Sequence, residues 1–204
     1  MYTLVKFALD DDDAWRVVTD AGAGMLVVMT AGGFASVFVP LVMSDDRRTL
    51  RSHVARANPW WTSITDGDDV LGLFVAASAY VSPSYYPSRL ENPGVVPTWN
   101  YVAAEVRGRV TLHDDPEWKL AQVKSQTGRF EAGRDPQWRV EDAPAEFIDK
   151  QLAAIVGLEI EVLSIEGKAK LSQNRPDVDH DSVRRHLGEG SLGERNTAQR
   201  MAND

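Results

Sequence analysis

Six short runs rich in β-branched and apolar residues, each bounded by Gly, Asp or Pro, constrain the fold of this chain more than any other feature. They are MLVVMT (25–30), ASVFVPLVM (35–43), TLRSHVA (49–55), DVLGLFVAASAY (69–80), NYVAAEVRGRVTLH (100–113) and LEIEVLSIEGKAK (158–170). In the last run Leu158, Ile160 and Val162 alternate with Glu159 and Glu161, the period-two pattern of a strand with one wet face. Gly32 and Gly33 place a hairpin between the first two runs. Helical patterns are fewer. LDDDDAWRVVTDAG has acids for a positive helix start and Gly22 as its stop; a second helix is expected over 115–131 and a third over 143–157. In the third, Phe147, Gln151, Leu152 and Ile155 lie on neighbouring turns, Pro144 suits the first turn, and Gly157 suits the stop. Six strands with few helices predict a mainly β chain with flanking helices (α+β), in a closed or nearly closed antiparallel barrel.

The length of 204 residues fits one domain, expected over 1–175. After Pro176 the chain turns polar, and residues 176–204 are expected to form a helical extension packed on that domain. One short helix is expected around HDSVRRHL and another from Ser191, which has capping-box spacing to Glu194. With 22 Lys and Arg against 30 Asp and Glu, the net charge of −8 disfavours non-specific nucleic-acid binding. The nearest candidates for a basic patch are the pairs Arg47–Arg48 and Arg184–Arg185. The lack of cysteine excludes disulfides, thiolate chemistry and cysteine-held metals, so any redox chemistry must come from a bound cofactor. No two of the four histidines have metal-ligand spacing, and no metal is expected. GAGM lacks the third glycine of a dinucleotide fingerprint, and GEGSLG has Glu189 where a nucleophile elbow needs glycine. No apolar run approaches the roughly 20 residues that span a bilayer. The opening MYTLVKFALDDDD lacks a signal peptide's basic flank and cleavage site, so a cytoplasmic protein without membrane partners is expected.

Four polar segments concentrate at the strand ends. RSHVARANPWW (51–61) puts Arg51 and His53 on one strand face and Arg56 in the following turn. In YVSPSYYPSR (80–89), Pro83 and Pro87 end the strand in a stiff, extended loop that carries Ser82, Ser84, Tyr85, Tyr86, Ser88 and Arg89. VPTWNY (96–101) contributes Thr98, Trp99 and Asn100, and GKAKLSQNR (167–175) ends a strand with two lysines, Gln173 and Arg175. Taken singly, each is an ordinary strand exit: charged strand ends are usually wet, and aromatics usually fill cores or interfaces.

Taken together, the four segments resemble the PaiB family of FMN-binding proteins, usually called FMN-binding negative transcriptional regulators, in the order and wording of SHVARANPWW, AYVSPSYYPSR, VPTWNYVAAEVRG and GKAKLSQNR. The resemblance runs from MYTLVKF to the polar tail. The chain departs from the family in carrying Tyr85 where tryptophan is frequent, Arg89 where lysine is frequent, and EVRG where a histidine often precedes the strand's end. The family is similar to pyridoxamine-phosphate oxidase, which implies an FMN-binding split β-barrel and a homodimer with flavin at the subunit interface. On that reading Arg56 and Arg89, with Ser82, Ser84 and Ser88 nearby, take the FMN phosphate, and Tyr85, Tyr86 and Trp99 pack on the ring. His53, Thr98, Asn100, Gln173 and Arg175 are candidates for the ribityl chain, the polar edge of the ring or a second ligand. The resemblance implies a flavin-linked regulator, with DNA contacted by this protein or by a partner, although no clear helix-turn-helix pattern is present. The alternative is a flavin-dependent oxidoreductase, an NAD(P)H-linked reductase or an oxidase, whose chemistry the flavin supplies. A third reading, haem held by His53, rests on one histidine. No residue is assigned a catalytic role.

Overall fold

The structure is a computed structural model that describes residues 1–202. Eight strands are formed: β1 (Ala8–Leu9), β2 (Ala23–Thr30), β3 (Gly33–Pro40), β4 (Val42–Met43), β5 (Thr49–Ala55), β6 (Asp69–Val81), β7 (Thr98–His113) and β8 (Ile155–Lys170). The helices are α1 (Asp11–Ala21), α2 (Pro116–Glu131), α3 (Ala145–Ala153), α4 (Asp177–Gly188) and α5 (Leu192–Met201). The strands hydrogen-bond in the order β3-β2-β6-β7-β8-β5-β4, with β1 against β8. The pairs β1–β8, β2–β3, β2–β6, β4–β5 and β5–β8 are antiparallel.

The hydrogen-bonded path does not close, so of the closed or nearly closed barrel expected from the sequence the fully closed form is not reached. The run 35–43 is divided: Pro40 ends β3 at one edge of the sheet, and two residues on Val42 starts β4 at the other. A proline has no N–H to continue a ladder, so it belongs at such an edge.

The chain clusters into two compact units. The first takes Met1–Ala21, Phe74–Glu105 and the residues from Glu166 onward; the second takes Gly22–Leu73 and Val106–Ile165. Strands β6, β7 and β8 contribute one part to each. The first unit buries Trp15, Val18, Phe74, Val81, Val102, Val183 and Leu187, and the second buries Leu26, Val28, Leu50, Val54, Val106, Leu158 and Ile160. Full burial of such side chains contributes about 1.5–3 kcal/mol each. Along β8 the buried face changes phase, from Leu158 and Ile160 to Gly167 and Ala169, so Lys168 and Lys170 fall on the partly exposed side.

Local chemistry explains most boundaries. Asp10 accepts a hydrogen bond from the Asp13 N–H at 2.8 Å, and Asp11, Asp12 and Asp13 face the positive start of α1. Gly22 stops that helix with a φ of +66°, a left-handed position that favours glycine. The helix expected over 143–157 ends at Ala153, because Ile155, Val156 and Gly157 are already paired with Ala55, Val54 and His53. Gly157 is therefore a strand residue. A Cβ there would lie 2.3 Å from Trp118 Cζ3, so the indole of α2 needs the glycine. Residues 82–90 are not an extended loop but two 3₁₀ turns, Pro83–Tyr85 and Pro87–Leu90, each opened by a proline with preset φ. Beyond Pro176 the helices are longer than expected, and Ser191 and Glu194 form the anticipated capping box.

Candidate functional site

Eleven of the thirteen sequence candidates lie in the first unit, at the C-terminal end of β6, the start of β7 and the end of β8. Many of them brace the segments that carry them. Ser82 Oγ accepts from the Ser84 N–H at 3.2 Å and pairs with Ser84 Oγ at 2.8 Å, fixing the first turn. Ser88 donates from its N–H and its hydroxyl to the carboxylate of Asp179, at 3.0 and 2.6 Å. Asp179 has no exposed surface, so α4 holds the second turn through a buried acceptor. Arg89 Nη1 donates to the carbonyls of Ser84 and Tyr86, at 2.8 and 3.2 Å, locking both turns together.

The aromatic candidates separate by environment. Tyr85 stacks on His186 with centroids 4.5 Å apart and planes 15° apart, so one of its faces is covered. Tyr86 is fully buried beneath the Arg175 guanidinium, which lies 4.5 Å from the ring centroid. Its hydroxyl has no hydrogen-bond partner, and burial raises its pKa above the ordinary phenol value, opposed by the charge of Arg175. Trp99 is 55% exposed, its ring 6.1 Å from that of Tyr80 and inclined to it at 71°, and it keeps part of its indole surface open.

Asn100 is buried, accepting from Ser172 Oγ at 3.0 Å and pointing its amide at Met201 Sδ. Gln173 accepts from the Leu171 N–H at 2.7 Å and donates to the Ala169 carbonyl at 2.8 Å, which shapes the turn after β8. Both are positioning residues. Thr98 Oγ1 accepts from Lys170 Nζ, which also donates to the Trp99 carbonyl at 2.6 Å.

Lys168 and Lys170 were not singled out from the sequence, although they stand two apart and therefore share a strand face. Burial holds the Lys170 ammonium below the usual lysine range, and the nearby positive charges of Lys168 and Arg175 lower it further. Among the described residues none of these three cations has a carboxylate partner. Three mutually repelling cations and an open indole suit a ligand with an anionic head and a flat ring.

His53 and Arg56 belong to the second unit, each with partners there. His53 Nδ1 sits 2.9 Å from Gln122 Oε1. Arg56 pairs with Asp114, and donates from Nε to the Ala153 carbonyl at 2.9 Å and from Nη2 to the Ile155 carbonyl at 3.1 Å. Asp114 also takes Lys119 at 2.9 Å, and the hydrogen bonds from Arg56 and then Lys119 hold its carboxyl below the ordinary range. Arg56 thus ties the turn after β5 to the start of α2 and the end of α3. Among the described residues no group of His, Asp and Glu is arranged to hold a metal ion, and no helix is long and apolar enough to cross a membrane.

The profile of a family described as "Putative FMN-binding domain" matches residues 1–164. The protease synthase and sporulation protein PAI 2 of Bacillus subtilis (strain 168) is 31% identical over 174 residues, covering 84% of this chain and 81% of that protein. A protein of Emericella nidulans is 29% identical over 160 residues, covering 66% of this chain and 64% of its own. Among solved structures, the FAD and heme binding protein from Mycobacterium smegmatis matches with a TM-score of 0.60 at 16% identity, over 91% of this chain and 82% of that one. The flavocytochrome Anf3 from Azotobacter vinelandii matches with a TM-score of 0.59 at 14% identity, over 81% and 70% of the two chains. At such identities the likeness is one of fold: the mainly antiparallel, open-sheet split barrel with flanking helices.

Proposed function

Because the chain belongs to the FMN-binding domain family of PaiB type and its cofactor is a flavin, we propose that it is a homodimeric, flavin-linked regulator whose FMN phosphate rests on Lys168, Lys170 and Arg175. The observation that carries the phosphate assignment is that these cations lie together without carboxylate partners among the described residues. A phosphate near −2 would relieve their repulsion through charge-assisted hydrogen bonds. Arg89, with Nη1 given to two carbonyls, keeps Nε and Nη2 for the same head group. Trp99 offers its indole to the ring. Bound flavin would supply electron-transfer chemistry, while these residues bind and orient it.

An apolar sheet face on β2, β3 and β6 supports the dimer, and an arginine-lined cavity of about 740 Å³ between α4 and α5 supports an anionic partner such as DNA. Arg184, Arg185 and Arg195 line that cavity against one acid, Asp181. The net charge of −8 confines such binding to this patch.

Two experiments test the reading. FMN at 100 times its dissociation constant adds about 2.7 kcal/mol of stability, which raises the melting temperature by about 2–4 °C per kcal/mol in a chain of this size. Riboflavin should give a smaller shift; equal shifts would reject the phosphate assignment. The dimer should bind its own promoter region with steep salt dependence, and replacing Arg184 and Arg185 by Ala should weaken that binding without changing the flavin spectrum. Binding no tighter than to random duplex, together with repeated bleaching of bound flavin by NADH or NADPH, would replace the regulator with an oxidoreductase.

A further inference from the structure

His53 lines a further cavity, contained within the second unit. It lies between α2, α3 and the start of β8 and holds about 210 Å³. Val140 and Leu152 are buried in its wall, and Trp138 and Phe147, 48% and 53% exposed, stand at its rim. Its polar side chains are those of His53 and Gln151. No Lys, Arg, Asp or Glu lines it, so a charged ligand would find no counter-ion there.

The imidazole is oriented by a relay. Gln122, itself buried, donates from Nε2 to Gln126 Oε1 at 2.8 Å, which turns its own Oε1 toward His53 Nδ1 at 2.9 Å. A carboxamide oxygen only accepts, so in the neutral imidazole Nδ1 carries the proton and Nε2 keeps its lone pair. Among the described residues Nε2 has no hydrogen-bond partner, and it is not sealed from solvent. His53 lines the cavity, and Nε2 is the acceptor its ring has free.

We propose that this cavity binds a small, neutral, single-ring aromatic with one hydrogen-bond donor, a phenol, whose hydroxyl donates to His53 Nε2 while the ring packs against Trp138, Phe147 and Leu152. The size supports a single ring, because drug-sized ligands fill sites of about 300–1,000 Å³ and this one is smaller. The chemistry requires the donor, because an apolar ring of the same shape leaves the imidazole acceptor desolvated and unpaired. Gln151, at the wall, can accept or donate to a second small substituent.

The test uses the whole 204-residue chain loaded with FMN and labelled with ¹⁵N, with phenol and toluene as probes. Long-range ¹⁵N–¹H spectra should show His53 protonated at Nδ1, and phenol should shift its Nε2 resonance saturably. Toluene should bind at least about tenfold more weakly, the effect of losing one hydrogen bond to a buried acceptor. His53→Phe should remove the preference for phenol. Ile148→Trp, which fills the cavity from α3, should abolish the response while leaving the FMN-induced thermal shift intact. A proton found on Nε2, equal affinity for phenol and toluene, or no saturation by about 10 mM phenol would overturn the proposal. The FMN-induced thermal shift is read separately, so failure here is distinguishable from failure of the flavin assignment.

Discussion

Asp179 and Lys170 are two charged groups that the fold treats in opposite ways. Asp179 sits with no exposed surface in the first turn of α4, where the helix start favours an anion, and accepts both hydrogen bonds from Ser88. Removing the carboxylate leaves a part-buried N–H and hydroxyl without an acceptor, so Asp179→Ala should destabilise the protein by about 2 kcal/mol. The check is the urea midpoint, and the freed turn 87–90 should also weaken FMN binding, since Arg89 sits on it. Lys170 is the reverse case: its ammonium is partly buried beside two other cations, which depresses its pKa. Between that lowered value and the ordinary lysine value of about 10.4, the unfolded chain still holds a proton that the folded chain has released. Stability of the flavin-free protein should therefore rise with pH through that window. Bound phosphate should raise the folded pKa and flatten the rise, as should Lys170→Met. Melting curves at stepped alkaline pH, with and without FMN, measure both effects; a flat profile in the flavin-free protein would remove the repelling cluster from the account.

The elements were legible wherever one periodicity ruled a segment. The strand of 158–170 was visible in its Leu–Glu alternation, α2 in its 16-residue pattern behind Asp115, and α5 in the Ser191–Glu194 box. Where two causes can produce the same residue, the sequence misled. Gly157 stands in a position that suits a helix stop, but it is a strand residue made small by a packed indole from α2, a contact across 39 positions that no local rule encodes. Gly157→Ala should accordingly behave as overpacking and destabilise the protein by about 1–3 kcal/mol, measured by thermal unfolding. A helix-stop glycine with open space around it would lose far less on the same change. Pro83 and Pro87 correctly marked the end of β6, but proline's φ suits both extended chain and 3₁₀ turns; Ser82 fixes the first turn locally, and Asp179, over 90 residues away, holds the second. The candidate site was legible as a set of segments and not as roles. Asn100, Gln173, Ser82 and Ser88 serve neighbouring backbone and side chains, whereas Lys168 and Lys170 looked like ordinary wet strand ends until the phase change in β8 placed them beside Arg175.

At the scale of the whole molecule, the outer face of β2, β3 and β6 is the feature that a single chain leaves unexplained. The register pairs Met25 with Phe38 and with Leu73, and Met29 with Phe34. Phe34 and Phe38 are 79% and 66% exposed and Met29 is 62% exposed, so large apolar groups stand side by side in water. Scattered exposed apolar residues are normal in soluble proteins, but a contiguous group in sheet register marks an interaction surface. Methionine and phenylalanine are also side chains enriched in interface cores. In the proposed homodimer the partner is a second copy of the chain, and this face is where we propose that it docks. Replacing both Phe34 and Phe38 by Asp would put two charges where the partner's apolar side chains must lie, while leaving the buried residues of β2 and β6 unchanged. Light scattering at micromolar concentration, in flavin-saturated protein, should give twice the 22.6 kDa chain mass for the natural sequence and the single mass for the variant, with the same far-UV spectrum for both. Monomeric natural protein would remove the dimer altogether, and a variant that stays dimeric would move the interface to another face. The FMN-induced thermal shift of the monomeric variant then asks a further question. The cation cluster belongs to one chain, so phosphate recognition should survive, and any loss of affinity would measure what the second copy contributes around the ring.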